Sequence, residues 1–125
     1  MASINYITQV QLDFGVLALL AQECERAGIT RPLVVSDAVF SMTGRVMDLR
    51  RLAELKRKYK FKLYVDDAHG IGVLGADGRG AVFEQDVRPE VDLLFGTFSK
   101  ALASLGGFVS GENRVLDCLR HKPRS

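Results

Sequence analysis

The alternation of apolar and polar residues along the chain predicts strands and helices in turn. Residues 4–12 alternate at strand spacing, and residues 14–27 carry apolar side chains at helical spacing before Gly28, a typical helix-ending glycine. This order predicts crossover connections, and so an α/β fold with a mostly parallel sheet and flanking helices. The further segments are strands at 33–35, 61–65, 91–95 and 108–110, and helices at 48–59 and 112–120.

The helix predicted over residues 48–59 has a start signal and two distinct faces. Asp48 is of the residue type that caps helix N-termini, and Leu49, Leu52 and Leu55 share one face. Basic residues cover the other face, which is the ordinary pattern of a solvated helix surface. They are Arg50, Arg51, Lys56, Arg57 and Lys58.

The composition is that of a globular protein and narrows the possible functions. The 125 residues are 47% hydrophobic and 26% charged, and 17 basic against 15 acidic residues give a net charge of +2. Nucleic-acid binders usually concentrate basic charge in a stripe, so this near-balance argues against that class. No apolar run reaches the roughly 18–20 residues that cross a bilayer, and no secretory signal opens the chain. We therefore expect a cytoplasmic protein without a membrane span.

Polar side chains follow two of the predicted strands directly. Asp66 and His69 come after one strand, and Thr97, Ser99 and Lys100 come after the next. Ligands of parallel sheets bind at the carboxyl ends of the strands. The sequence therefore predicts that these residues form a site at one edge of the sheet.

Lys100 is the member of this group with the most specific chemistry. Three apolar residues follow it, so we expect a partly desolvated amine with a lowered pKa. Such amines react with aldehydes, and pyridoxal phosphate is a cofactor that carries one. Asp66 could then face the ring nitrogen of that cofactor, and His69 could form a hydrogen bond with its ring oxygen or with the substrate. Thr97 and Ser99 could bind its phosphate.

Other motifs leave alternatives of a different class. Residues 70–75 match GxGxxG, the dinucleotide-binding pattern of dehydrogenases, although no helix is predicted to follow directly. The run Asp66–His69 also matches the acid-acid-Ala-His motif of DExH-box ATPases, but the chain lacks a P-loop. Asp66, Asp67 and His69 could hold a metal ion, although they offer few ligands for zinc.

Three segments of the chain together resemble the α-oxoamine synthases. They are Val39–Gly44 (VFSMTG), Tyr64–Gly75 (YVDDAHGIGVLG) and Gly96–Lys100 (GTFSK), the last followed by Gly-Gly-Phe at 106–108. That family includes serine palmitoyltransferase, 8-amino-7-oxononanoate synthase, 5-aminolevulinate synthase and glycine C-acetyltransferase. Its members are pyridoxal-phosphate enzymes of the aspartate aminotransferase fold, fold type I. They condense an amino acid with an acyl-CoA, usually with loss of carbon dioxide.

The resemblance implies a partial large domain of that fold and assigns roles to individual residues. Lys100 resembles the lysine that binds the aldehyde of the cofactor, and Asp66 resembles the aspartate paired with the pyridine nitrogen. His69 resembles the histidine near the ring oxygen, so these three residues are expected to be catalytic. Thr97 resembles a residue on the phosphate side, and Ser41 the serine of the FSM motif that contacts the cofactor.

Parts of the chain depart from the family pattern. Thr43 and Arg45 stand where acidic residues are usual, and Asp37-Ala38 stands where Glu-Gly is common. Residues 1–36 resemble instead the start of iron-containing alcohol dehydrogenases. We therefore expect an N-terminal strand-helix-strand segment of uncertain origin over residues 1–36 and a partial pyridoxal-phosphate-binding large domain over residues 37–125.

The resemblance implies an amino acid and an acyl-CoA as substrates, pyridoxal phosphate as the cofactor, and a homodimer for the full-length protein. We expect no nucleic-acid partner and no metal. The chain matches the cofactor-bearing middle of such an enzyme, so a non-catalytic fragment that keeps the fold is the main alternative. A nucleotide-binding domain of the dehydrogenase type is a further alternative.

Overall fold

A computed structural model describes Gln22 and Glu25–His121 of the chain. The strand predicted over residues 4–12, and all but a few residues of the helix predicted over 14–27, lie outside the described part. The chain divides after Thr30 into two units, and the second unit carries the sheet.

The second unit alternates strands and helices in the predicted order. Two short helical segments were not predicted, because three or four residues are too few to show an apolar period. The elements are β1 Leu33–Asp37, α1 Leu49–Tyr59, β2 Lys62–Asp66, α2 Ala81–Glu84, a 3-10 helix Arg88–Glu90, β3 Leu93–Thr97, β4 Gly107–Gly111 and α3 Asn113–His121.

The four strands form one sheet in the order β1-β2-β3-β4. The strands β1, β2 and β3 are parallel, with Leu33 opposite Lys62 and Tyr64 opposite Leu93. The fourth strand is antiparallel to β3, because the short connection between them contains no helix that could return the chain to the other end of the sheet. The prediction of an α/β fold with a mostly parallel sheet and flanking helices is confirmed.

Most of the buried strand residues lie on one face of the sheet. Leu63 and Val65 of β2 and Leu94 of β3 are at most 3% exposed. On the opposite face, Leu33 and Val35 of β1 are 56% and 63% exposed. The apolar face of α1 is buried as its spacing predicts, through Leu49, Leu52, Ala53 and Leu55.

The first turn of α1 is capped from two directions. The Oδ1 atom of Asp48 accepts the N–H of Arg51 at 2.9 Å, which confirms the predicted cap. Gln85 adds a second cap, because its Oε1 accepts the N–H of Leu49 at 2.9 Å and its Nε2 donates to Met47 O at 2.8 Å. The second cap comes from a distant part of the chain and has no local sequence signal.

Several element ends differ from the prediction by one or two residues. β1 continues two residues beyond the strand predicted over residues 33–35, through Ser36 and Asp37. Gly28 has a φ of +65° and donates its N–H to Glu25 O at 3.1 Å, as expected for a glycine that ends a helix.

In the described part of the chain, no helix is long and apolar enough to cross a bilayer.

Candidate functional site

The carboxyl ends of the three parallel strands meet at one edge of the sheet. β1 ends at Asp37, β2 at Asp66 and β3 at Thr97. In the register, Asp37 lies opposite Asp66, and Asp66 lies opposite Phe95. Because side chains alternate between the two faces along each strand, Asp66 and Thr97 lie on the same face of the sheet. This is the edge at which parallel sheets bind ligands.

Asp66 is half-buried at the last position of β2. Its Oδ1 atom accepts the N–H of Ala68 at 2.9 Å, which fixes the carboxylate in a turn directly after the strand. Its backbone oxygen accepts the N–H of Ala38 at 2.7 Å and so ties the loop after β1 to the same edge. His69 is half-buried in that turn, so a carboxylate and an imidazole lie close together in the chain here.

Two hydroxyl groups lie side by side after β3. The Oγ atoms of Thr97 and Ser99 are 2.8 Å apart. Thr97 Oγ1 also donates to Gly106 O at 3.1 Å and accepts the N–H of Ser99 at 3.3 Å. Because Thr97 has a single hydroxyl hydrogen, its bond to Gly106 leaves Ser99 as the donor between the two hydroxyls. The pair is therefore held in a defined arrangement at the edge of the sheet.

Lys100 follows this pair and is exposed. The prediction of a partly desolvated lysine is therefore wrong. The apolar residues after Lys100 do not cover it, because Leu102 is 52% exposed and Leu105 is 92% exposed. Among the described residues, no carboxylate forms an ion pair with its ammonium group.

Ser41 lies in the loop that follows β1. It is exposed near the tip of a loop that an isolated bridge between Val39 and Val46 closes. Inside this loop, Gly44 donates its N–H to Phe40 O at 2.8 Å. The other five candidates follow the ends of β2 and β3, and among the described residues no hydrogen bond joins Ser41 to any of them.

Asp67 contributes to the fold next to the site. Its side chain is fully buried, and Oδ2 accepts the N–H of Val82 at 3.2 Å in the first turn of α2. Burial raises the pKa of Asp67 to about 6, although hydrogen bonds from Val82 and Ala81 act in the opposite direction. Its Oδ1 atom has no hydrogen-bond partner among the described residues. The sequence does not predict this role, because the helix that Asp67 caps begins well after it.

The alternatives based on other motifs find little support in the site geometry. The described residues contain no group of three or more side chains that could hold a metal ion. The glycine-rich segment 70–80 closes on itself, with the N–H of Gly72 donating to Gly78 O at 2.7 Å. The next helix begins at Ala81, so the GxGxxG match does not open a helix as the dinucleotide motif requires.

Comparison with known proteins identifies relatives over nearly the whole chain. Residues 3–124 match the family Aminotransferase class I and II. The serine palmitoyltransferase of Bacteriovorax stolpii is 46% identical over 82% of this chain and 24% of its own length. The 8-amino-7-oxononanoate synthase of Geobacter metallireducens is 48% identical over 90% of this chain and 28% of its own length. The chain therefore spans about a quarter of the length of the curated relatives it matches.

Solved structures with the same fold carry related names. A serine palmitoyltransferase from Sphingomonas wittichii is 38% identical with a TM-score of 0.65, over 70% of this chain and 22% of its own. A serine palmitoyltransferase from S. paucimobilis, solved with bound pyridoxal phosphate and myriocin, is 30% identical with a TM-score of 0.73. That match covers 83% of this chain and 26% of the other.

The family match changes the interpretation of the N-terminal part. It begins at residue 3, so the expectation that residues 1–36 lie outside the family is wrong over the matched range. A domain division between residues 36 and 37 stays a prediction. The fold, the edge of the sheet and these relatives agree: the chain belongs to the class I and II aminotransferase family and, within it, to the α-oxoamine synthases.

Proposed function

We propose that this chain is the cofactor-binding part of an enzyme that uses pyridoxal phosphate to condense an amino acid with an acyl-CoA, usually with loss of carbon dioxide. The observation that carries the proposal is the position of Asp66 and Lys100 after the carboxyl ends of two adjacent parallel strands. Family membership supports it. Because the chain spans about a quarter of its relatives, the activity, the substrates, the homodimer and the cytoplasmic location all belong to the proposal.

The polar groups at the edge of the sheet fit the chemical groups of the cofactor. Its aldehyde needs an amine, its pyridine nitrogen a carboxylate, and its phosphate hydrogen-bond donors. Lys100 provides an exposed amine, and Asp66 provides a carboxylate at the end of a strand. Thr97 and Ser99 provide hydroxyl groups on the neighbouring strand end. Each requirement is therefore met by a side chain at the same edge.

Lys100 and Asp66 would carry the main roles in such a site. When bound, pyridoxal phosphate supplies a conjugated ring that stabilises negative charge at the α-carbon of an amino acid. Lys100 would bind the aldehyde through its amine. The amine must be uncharged to do so, because only a nitrogen with a free electron pair can attack a carbonyl carbon. The carboxylate of Asp66 would keep a proton on the ring nitrogen, because a nearby negative charge favours the protonated form of a base.

The remaining candidates would orient the bound group. His69, in the turn after Asp66, would form a hydrogen bond with the ring oxygen. Ser99 would turn its hydroxyl hydrogen from Thr97 towards the phosphate, while Thr97 keeps its bond to Gly106 O and holds the strand end in place. Ser41 enters the proposal through the family resemblance alone.

Borohydride reduction in the presence of pyridoxal phosphate tests the cofactor site. Reduction makes the bond between a lysine amine and the aldehyde permanent, and peptide mass mapping then locates the modified residue. We expect a pyridoxyl group on Lys100 that is lost in Lys100→Ala and kept in Lys58→Ala. Lys58 is a suitable control because it is also exposed and lies in α1, where its ammonium contacts the Tyr59 ring. Modification spread evenly over the surface lysines would contradict the proposal.

Turnover separates an enzyme from a fragment that keeps the fold without activity. We expect an amino acid to cause release of coenzyme A from an acyl-CoA, and Lys100→Ala to abolish that release. A pyridoxyl group on Lys100 without turnover would instead indicate a cofactor-binding fragment. Tight binding of NAD(H) in a calorimetric titration would favour the dehydrogenase-type alternative.

A further inference from the structure

Lys100 lies in an exposed loop over residues 98–106. The N–H of Phe98 donates to Gly106 O at 3.0 Å and closes this loop at its base. Bonds of this kind determine the shape of the loop. They do not determine how far the loop stands from the end of β2, where Asp66 and His69 lie.

The glycine-rich segment 70–80 contacts this loop directly beside Lys100. Gly72 packs against Ala101. A Cβ atom at Gly72 would stand 2.6 Å from the Cβ of Ala101, which is closer than two non-bonded carbon atoms can approach. Gly72 also has a φ of +82°, a backbone conformation that favours glycine. Neither residue has a long side chain that could move aside, so the contact sets a spacing between two stretches of backbone.

The segment that carries Gly72 is tied to the end of β2. The N–H groups of Gly70 and Ile71 both donate to Asp67 O at 3.0 Å. The N–H of Gly72 donates to Gly78 O, which closes the segment on itself. The glycine-rich segment therefore connects the end of β2 to the loop that carries Lys100.

We propose that Gly72 is a positioning residue for Lys100, because its contact with Ala101 sets the distance between the loop of Lys100 and the end of β2. Tightly packed groups transmit a displacement from one side of a contact to the other. The inference rests on the proposed function for the role of Lys100, whereas the contact itself can be tested without cofactor.

Three variants separate this contact from the backbone strain that any substitution at Gly72 also causes. Gly72→Ala introduces both the strain and the overlap with Ala101. Gly75→Ala is the matched control, because Gly75 has a φ of +81° and its added Cβ would meet no atom closer than 3.5 Å. The double variant Gly72→Ala/Ala101→Gly keeps the strain but removes the overlapping Cβ.

The first readout is the backbone amide NMR spectrum of the cofactor-free chain. Gly72→Ala should shift the amide signals of residues 99–103, and the double variant should return them towards the parent positions. Gly75→Ala should leave those signals unchanged. Shifts in Gly72→Ala that stay confined to residues 70–80, or that persist in the double variant, overturn the proposal. If Gly72→Ala does not fold, Ala101→Val enlarges the side chain on the other side of the same contact. Unchanged amide signals at residues 71–73 in that variant then overturn the proposal.

The second readout is the affinity for pyridoxal phosphate, measured by absorbance together with borohydride trapping at Lys100. We expect an affinity about tenfold weaker in Gly72→Ala and within about twofold of the parent in both the double variant and Gly75→Ala, because small misplacements of a reacting group have large effects. If the parent chain is not modified at Lys100, the proposed function fails, while the NMR result still decides whether the contact positions the loop. Equal losses of affinity in Gly72→Ala and Gly75→Ala overturn the positioning role.

Discussion

Two shielded carboxylates at opposite ends of the sheet differ in how their charge is compensated. Asp92 lies just before β3 at the amino end, and its side chain is 14% exposed. Asp67 lies just after β2 at the carboxyl end and is fully buried. The pKa of Asp92 is lowered and the pKa of Asp67 is raised, so the two environments shift the pKa of a carboxyl group in opposite directions.

The partners of Asp92 explain its lowered pKa. Burial alone would raise that pKa, but hydrogen bonds from Lys56, Lys62 and the N–H of Leu63 outweigh it. Lys62 donates to Oδ1 at 2.7 Å, and Leu63 donates to Oδ2 at 2.8 Å. Two cations and a backbone donor thus favour the ionised form of this carboxylate.

Among the described residues, Asp67 has no cationic partner of this kind. Its described hydrogen bonds come from uncharged backbone N–H groups, and nearby Asp66 and Glu84 add negative charge. The amino end of the sheet therefore carries a compensated charge network. The carboxyl end, where the candidate site lies, carries an ionisable group whose charged form is unfavourable. Of the two carboxylates, the one whose charge is compensated therefore lies at the end of the sheet away from the candidate site.

The largest effect is expected from Asp92→Asn, which removes the negative charge and leaves Lys56 shielded without a carboxylate. The side chain of Lys56 is only 17% exposed, so we expect a loss of about 3 kcal/mol in the free energy of unfolding at pH 7. Urea unfolding of the parent chain and of Asp92→Asn measures this loss. The control is Asp77→Asn, because Asp77 pairs with Arg79 at the surface and its loss should cost less than about 1 kcal/mol. Equal losses in the two variants would contradict the comparison.

A pH-dependent effect is expected from Asp67→Asn. The pKa of Asp67 rises from 3.8 to about 6 on folding, so the folded chain holds a proton that the unfolded chain has released between these values. Its contribution to stability is fully present below pH 3.8 and is lost as the pH rises through 6. Asparagine does not titrate, so between pH 4 and pH 7 the stability of the variant should increase relative to the parent by up to about 3 kcal/mol.

The measurement is urea unfolding of both chains at several pH values, because their difference cancels the titration of all other groups. The direction distinguishes the two carboxylates. The lowered pKa of Asp92 gives stability that is present above pH 3.8 and lost as the pH falls through its folded value. A parallel pH dependence of the parent and the Asp67→Asn chain would show that burial of Asp67 has no energetic consequence.

Local sequence signals predict several features of the fold and of the candidate site. The cap at Asp48 and the buried face of α1 were predicted because a cap acts within three residues and a helix repeats every few residues. The position of Asp66 at the carboxyl end of a parallel strand was predicted, because parallel strands bring their carboxyl ends to the same edge of the sheet. In each case the cause lies in neighbouring residues or in the topology.

Features that depend on distant partners were not predictable. Asp67 caps a helix 15 residues further along the chain, and Gln85 caps α1 from 36 residues away. The exposure of Lys100 was predicted wrongly because the short apolar run after it resembles a buried segment, whereas Leu102 and Leu105 lie in an exposed loop. Nothing in the spacing of these residues shows whether such a run turns inward.

The smallest effect is expected at the exposed member of the Asp92 network. The side chain of Lys62 is 63% exposed, so Lys62→Gln should reduce the free energy of unfolding by less than about 1 kcal/mol. The hydrogen bond with Asp92 raises the pKa of Lys62, so this contribution is present at neutral pH and is lost as the pH rises past 10.5. Solvent access should also make the contribution sensitive to salt, since about 1 M salt screens charges beyond roughly 3 Å.

Urea unfolding of Lys62→Gln at low and high salt tests this difference. We expect the loss at low salt to shrink at high salt, and the larger loss in Asp92→Asn to persist, because shielded pairs are screened much less than exposed ones. Lys58→Gln is the control, since Lys58 is also exposed but contacts an aromatic ring instead of a carboxylate. If the Asp92→Asn loss also disappeared in high salt, the network would behave as an ordinary surface pair, and the contrast with Asp67 would reduce to burial alone.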